Sequence, residues 1–308
     1  MADLDVRRLT LLAEVARQGS ITAAARSAGY TPSAVSQQIS KLEAEAGQPL
    51  LERHARGIEL TDAGRALVAR AERIARELTA ARNELKEIAG LRSGSVRIGS
   101  FPTASASLLP LAVKGFSAQH PAISISVRSA VRGQLMDMLE GREVELALLW
   151  DYDWDRLVSS TIELVPVLED PTALLVSVDH PLAGRRSVAL EELASEQWVT
   201  RADNHPLIDV LRRATSRAGL EPHIAFEAHD YHEVQAMVAV GLGVALAPRI
   251  ALTNLRDDVR VIAVSPVAPT RRIMLGRLRE RRLTPAEEGM RKQFLIAARE
   301  LRRSFGGE

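Results

Sequence analysis

The chain has 308 residues, 46% hydrophobic and 26% charged, a globular balance with length for two or three domains that each bury a core. It contains no cysteine, which excludes a disulfide scaffold, a thiol nucleophile, a thiolate-held iron–sulfur cluster and a cysteine zinc site. Net charge is +1, which neither demands nor excludes nucleic acid, because a DNA-binding surface needs only a local face.

Residues 1 to about 92 read as successive helices. Leu4, Leu9, Leu12, Val15 and Ala16 recur at helical spacing, and Gly19-Ser20 ends one helix and caps the next. The second helix is short, carries Ala23-Ala24-Ala25, and breaks at Gly29-Tyr30. Thr31 caps a third helix with Pro32 at its first position, running to about Ala46 with Val35, Ile39 and Leu42 as its buried stripe. Two short strands, Leu51 to Arg53 and Ile58 to Leu60, flank a turn through His54-Ala55-Arg56-Gly57.

Thr61-Asp62-Ala63-Gly64 then opens a long helix. Leu67, Ala71, Ile74, Leu78, Ala81, Leu85 and Ile88 alternate at gaps of four and three, a heptad seam. Such a seam can lie on its own domain. Its narrowness, between Arg- and Glu-rich faces, fits pairing with a second helix better, so Leu67, Ile74, Leu78, Leu85 and Ile88 are expected to dimerise the protein.

From Ser95 the pattern alternates strand and helix. Val96 to Ile98, Ile123 to Val127, Leu146 to Trp150, Thr172 to Val178 and Arg260 to Val264 read as strands. Helices run through Leu108 to Phe116, Leu135 to Leu139, Leu207 to Ala218, Tyr231 to Val240 and Pro285 to Arg303. This predicts an α/β domain with largely parallel sheets, long enough to divide into two lobes. The expected fold class is α+β multidomain: residues 1–65 as a winged helix-turn-helix, 66–92 as a linker and dimerisation helix, and 93–308 as a two-lobed domain. One lobe takes about 93–165 and 266–308, the other about 166–265.

Three helices, a tight turn before the third and a two-stranded hairpin are the outline of a winged helix-turn-helix. The third helix offers solvent Ser33, Ser36, Gln37, Ser40 and Lys41, groups suited to base edges and phosphates. Arg53 and Arg56 on the hairpin can neutralise phosphates. A small helical domain with a solvated polar face is the bland alternative, and the acidic and basic residues of 1–65 cancel, so charge does not decide.

The stretches Gly19-Ser20-Ile21-Thr22-Ala23-Ala24-Ala25, Thr31-Pro32-Ser33-Ala34-Val35-Ser36-Gln37-Gln38-Ile39, Leu42-Glu43, and Gly57 with Leu60-Thr61-Asp62-Ala63-Gly64 closely resemble the LysR-type transcriptional regulators. Ala46, where Leu is usual, and Leu51, where Phe is usual, are apolar departures at core positions. The resemblance implies a sequence-specific regulator, without a cofactor, that binds an inverted repeat in double-stranded promoter DNA as a homodimer and usually assembles as a homotetramer. It places base contacts on Pro32, Ser33, Ser36 and Gln37, within a surface from Thr31 to Lys41, and a phosphate contact on Arg53. It further implies an effector domain of two Rossmann-like lobes. Gly241 to Pro248 resembles the family's late Gly-x-Gly strand, and Glu145 replaces a common Asp.

Ligands in open α/β sheets bind beyond the carboxyl ends of strands. Three such ends carry polar or aromatic groups: Ser100-Phe101-Pro102-Thr103, Trp150-Asp151-Tyr152 and Trp198-Val199-Thr200-Arg201. The resemblance puts effector contacts at Ser100, Thr103, Thr200 and near Gly243-Val244. Arg201 suits a carboxylate and Trp150 can stack on a ligand or serve the core, so a small anionic or zwitterionic effector is expected. His229-Asp230-Tyr231-His232-Glu233 could share a metal, but a helix start capped by Asp230 is the simpler reading, and no metal is expected.

No nucleophile, elbow or phosphate-loop motif argues for an enzyme. No apolar run approaches the ~20 residues of a membrane-spanning helix, and the acidic start lacks a signal-peptide pattern, so a cytoplasmic location is expected. The competing reading is a solute-binding sensor acting without specific promoter binding, which would need no winged helix.

Overall fold

The computed structural model describes residues 4–54, 57–88, 94–202, 207–217, 221–266 and 268–305. Contacts divide the chain into two units: Met1–Arg92 with Gly141–Glu143, and the remainder.

The first unit follows its capping chemistry. Helix α1 (Val6–Gln18) is capped by Asp5, α2 (Ile21–Ala28) by Ser20, and α3 (Pro32–Ala46) by Thr31, whose side-chain oxygen accepts from the Ala34 amide at 3.2 Å. Each helix ends on a glycine in the left-handed region. Leu9, Leu12, Val15, Ala24, Ala25, Val35, Ile39 and Leu42 form the core. Arg8 reaches from α1 to Gln38 and Glu45, tying α1 to the back of α3. The hairpin pairs β1 (Leu51–His54) antiparallel with β2 (Gly57–Leu60). Glu43 anchors its start by accepting from the amides of Leu50 and Leu51.

Thr61 closes this hairpin onto the long helix α4 (Asp62–Ile88). Its hydroxyl donates to the Pro49 carbonyl at 2.9 Å and accepts from the Gly64 amide at 2.9 Å. Gly64 is required by space: a Cβ there would sit 2.1 Å from the Leu50 carbonyl oxygen. The heptad seam divides in two. Ala71 is buried, and Leu67 and Ile74 are partly buried against this unit's own core. Leu78 and Leu85 remain 47% and 66% exposed, and the side chain of Ile88 lies outside the described residues.

The second unit is built on a mixed sheet. Strand β3 (Ser95–Ser100) lies between β4 (Ser124–Ser129) and β5 (Leu146–Asp151), all parallel. Helices α5 (Pro102–Ala106), α6 (Leu108–Gln119) and α7 (Arg132–Glu140) lie among them in chain order. Glu145 ties β3 to β5 by accepting from the Arg97 amide at 2.6 Å and Nε at 2.7 Å. Strand β6 (Ile162–Ser177) is 16 residues long. Beyond it come β7 (Ser187–Ala189), β8 (Gln197–Arg201), α8 (Leu207–Arg217), β9 (His223–Ala228), α9 (Tyr231–Ala239), β10 (Ala245–Pro248), β11 (Val259–Ser265), β12 (Thr270–Leu278) and α10 (Pro285–Phe305).

The expectation of largely parallel sheets needs correction. Strand β12 runs antiparallel to both β5 and β6, and β6 pairs antiparallel with β10 and β11. The physical reason is β6 itself. One extended segment pairs with β12 up to Pro171 and, from Thr172 onward, with β10 and then β11 as well, so it serves two groups of strands. Strands β8 and β9 form a separate parallel pair, linked through a Trp198–Val244 bridge.

Candidate functional site

The first unit presents α3. Its sequence places Val35, Ile39 and Leu42 inward, leaving Thr31, Pro32, Ser33, Gln37, Ser40 and Lys41 exposed and Ser36 half-buried on the opposite side. Thr31 and Ser33 hydroxyls lie 3.1 Å apart at the helix start. Short hydroxyls, an amide and a terminal ammonium on one rigid helix suit major-groove edges and phosphates. Arg53 stands on β1, with its side chain outside the described residues, as is Arg56 of the turn.

The second unit gathers side chains at the carboxyl ends of β3, β5 and β8. Ser100 ends β3, fully buried, with its hydroxyl 3.4 Å from the Phe101 carbonyl. Thr103, in α5, accepts from Arg271 Nη2 at 3.1 Å. Arg271, on β12, also donates to Asp170 of β6 through Nε at 3.1 Å and Nη2 at 2.7 Å, and lies over the Phe101 ring at 5.1 Å. Asp170 accepts from the Ile250 amide at 3.0 Å. Burial pushes the Asp170 carboxyl up, and Arg271 with the amides of Ile250 and Arg249 pulls it back.

Tyr152 and Tyr231 lie near enough to this pair to respond to its charges. Burial raises both phenols, so both are neutral donors. Trp150 is buried edge-on to Tyr152, at 5.9 Å between centroids, under the Arg132 guanidinium at 4.7 Å. Thr200 and Arg201 end β8. Arg201 lies over the Tyr231 ring at 5.2 Å. Asp230 caps α9 as expected, with the amides of Glu233 and His232 holding its carboxyl below the usual range.

Of the sequence-derived effector residues, Thr103 contacts Arg271, Trp150 contacts Tyr152 and Arg201 contacts Tyr231, while Ser100 and Thr200 stand at the ends of β3 and β8. Val244 is tied to β8. Its carbonyl accepts from the Val199 amide at 2.9 Å, its amide donates to the Gln197 carbonyl at 2.8 Å, and its side chain is buried. Gly243 is small for the same reason: a Cβ there would lie 2.5 Å from the Gln197 carbonyl oxygen. This stretch therefore packs closely on β8, with both backbone groups of Val244 engaged there. Asp170, Arg271 and Arg132 escaped the sequence reading. An Asp before Pro171 within a strand was the available signal.

Known proteins share both halves. The family described as bacterial regulatory helix-turn-helix protein, lysR family, matches residues 6–65, and the LysR substrate binding domain matches residues 89–298. The chain belongs to the LysR family. It is a DNA-binding transcriptional regulator with an effector-binding domain and not an enzyme, and the reading as a sensor without promoter binding falls away. It is 30% identical over 274 residues, 88% of each chain, to the hydrogen peroxide-inducible genes activator of Dickeya chrysanthemi. It is 28% identical over 261 residues to the transcriptional dual regulator GltC of Bacillus subtilis, covering 84% of this chain and 86% of GltC. Among solved structures, full-length OxyR from Pseudomonas aeruginosa has the same fold at a TM-score of 0.73 and 20% identity, covering 96% of this chain and 98% of that one. Full-length CbnR in complex with its target DNA matches at 0.71 and 21% identity, covering 96% and 99%. No helix among the described residues is long and apolar enough to cross a membrane.

Proposed function

We propose that this regulator reads an inverted repeat in promoter DNA through Thr31, Pro32, Ser33, Ser36, Gln37 and Lys41, with Arg53 on a flanking phosphate. The observation that carries this is α3 itself, with an apolar stripe inward and an exposed polar face opposite. The DNA in the CbnR complex supports the reading, because that chain shares this fold. Two copies pair through the α4 seam of Leu67, Ile74, Leu78, Leu85 and Ile88, of which Leu78 and Leu85 are exposed, and place two α3 helices on half-sites one helical turn apart. Two dimers assemble into a tetramer on a longer site. The protein works in the cytoplasm, where promoter DNA lies.

The effector-binding domain takes a small anion or zwitterion between two lobes, at Ser100, Thr103, Trp150, Thr200 and Arg201. Its effect on transcription follows from unequal affinity for two arrangements of the oligomer. Relatives named for hydrogen peroxide bear on this only by contrast: with no cysteine, this chain carries no thiol to oxidise, and sensing rests on reversible binding. The test is footprinting of the purified protein on its own upstream intergenic DNA at fixed salt. A protected inverted repeat, with scrambled DNA unprotected, is expected. Equal binding to both, there and across sheared genomic DNA, would overturn the proposal.

A further inference from the structure

Three donors on the effector surface lack an acceptor among the described residues: the Thr200 hydroxyl, on a residue 1% exposed, Arg201 Nε and Arg132 Nη1. A buried donor left unmatched is costly, and native structures seldom tolerate it without a ligand, ion or water. Thr200 and Arg201 are consecutive at the end of β8. The face of the Arg201 guanidinium rests on Tyr231, which fixes its plane and leaves the edge bearing Nε–H for a coplanar acceptor. A carboxylate supplies two coplanar oxygens, one for Nε–H and one for the Thr200 hydroxyl. The Asp230 carboxylate, near enough to act on Arg201, is already engaged by the α9 amides.

The β5 side supplies rings. Trp150 stands edge-on to Tyr152, and Tyr152 stacks on Trp154 with centroids 4.7 Å apart and planes 10° apart. Trp150 and Tyr152 are buried, and Trp154 is exposed at the outer end of this wall. Arg132, held by Asp155 at 2.5 Å, leans over Trp150 with Nη1 still open. The β5–β12 register, with Arg272 opposite Asp151, puts Tyr152 at the Arg271 end of that pairing, and Tyr231 under Arg201 is near enough to Arg271 to respond to its charge, so the ring wall and the Thr200–Arg201 edge border the same buried ion pair.

The geometry points to a planar aromatic carboxylate as the effector: its carboxylate on Thr200 and Arg201, its ring against Trp150 and Tyr152, and an oxygen substituent on Arg132 Nη1. This rests on the effector-site reading above. Aromatic rings prefer edge and offset-face contact with other rings, which a saturated body of equal size cannot make.

The test is calorimetric titration of the full-length protein with benzoate, 2-hydroxybenzoate and 4-hydroxybenzoate, beside succinate and cyclohexanecarboxylate. The aromatic acids are expected to bind more tightly than both saturated acids. Thr200→Val, which keeps the shape, and Arg201→Gln should each weaken benzoate binding about tenfold or more. Equal or tighter binding of succinate or cyclohexanecarboxylate would overturn the aromatic class and leave the anion site standing. Benzoate binding unchanged in both variants would place the ligand elsewhere and overturn the assignment. Binding of no carboxylate at all would overturn the anion reading as well.

Discussion

Replacing Arg271 by Met removes the cation from a buried pair that joins β6 to β12. Asp170 then keeps only the amides of Ile250 and Arg249, losing two hydrogen bonds from the guanidinium, and Thr103 loses its donor. Both charged residues are buried, at 3% and 0% exposure, so water cannot replace the lost partner. Removing one member of such a pair costs about 3–5 kcal/mol. For a domain of this size that is roughly 10 °C in Tm. The double variant Asp170→Asn with Arg271→Met keeps an acceptor for the amides and removes the orphan charge, so it should recover much of the loss.

The pH dependence has a definite sign. Without Arg271 the folded-state pKa of Asp170 rises further, so the variant's stability declines as pH climbs above the ordinary Asp value. Its deficit against the parent should therefore be smaller at pH 5 than at pH 7. The assay is urea unfolding of the effector-binding domain's transition in the full chain at both pH values. A loss under 0.5 kcal/mol, or equal losses in single and double variants, would refute the pair's structural role.

Other consequences follow from single contacts. Gly64→Ala forces a Cβ against the Leu50 carbonyl and should lower the thermal stability of the first unit, while the second unit's transition stays put. Leu78→Glu, on the exposed end of α4, should reduce dimer content in sedimentation without unfolding the first unit, whereas Ile74→Glu should do both. Glu14 is held at about 2 by hydrogen bonds from Arg17, Ser27 and Gln18. Its contribution is present above the ordinary Glu pKa and lost as pH falls toward 2. Glu14→Gln should therefore flatten the acid limb of the first unit's melting curve between pH 5 and 2.5.

Local chemistry made the first unit legible. Ser20, Thr31 and Pro32 mark helix starts, Gly19, Gly29 and Gly47 mark ends, and the stripe on α3 separates core from surface. Along α4 periodicity shows that a face is apolar, not what covers it: Ile74 and Leu78 look alike in sequence, and only Ile74 packs against the first unit's core. In the second unit β12 was missed. Its alternation is interrupted by Arg271 and Arg272, which are answered by Asp170 and Asp151, distant in the chain. The strand β6 was legible only after Pro171, because Glu169, Asp170 and the two prolines Pro166 and Pro171 obscure its earlier half. The same long-range pairing hid Asp170 and Arg271 from the site. Arg132 and Tyr231, recognisable only through the rings and cations they meet, were hidden likewise.

The central claim is that α3 reads DNA sequence, and Gln37 tests it most directly. Gln37 is exposed on α3 with an amide able to pair with adenine. Affinity of the parent and of Gln37→Ala is measured on the protected upstream site and on scrambled DNA at one salt concentration. The account predicts a loss of about 1–3 kcal/mol on the specific site and none on scrambled DNA. An equal loss on both, or none on either, would contradict base reading by α3.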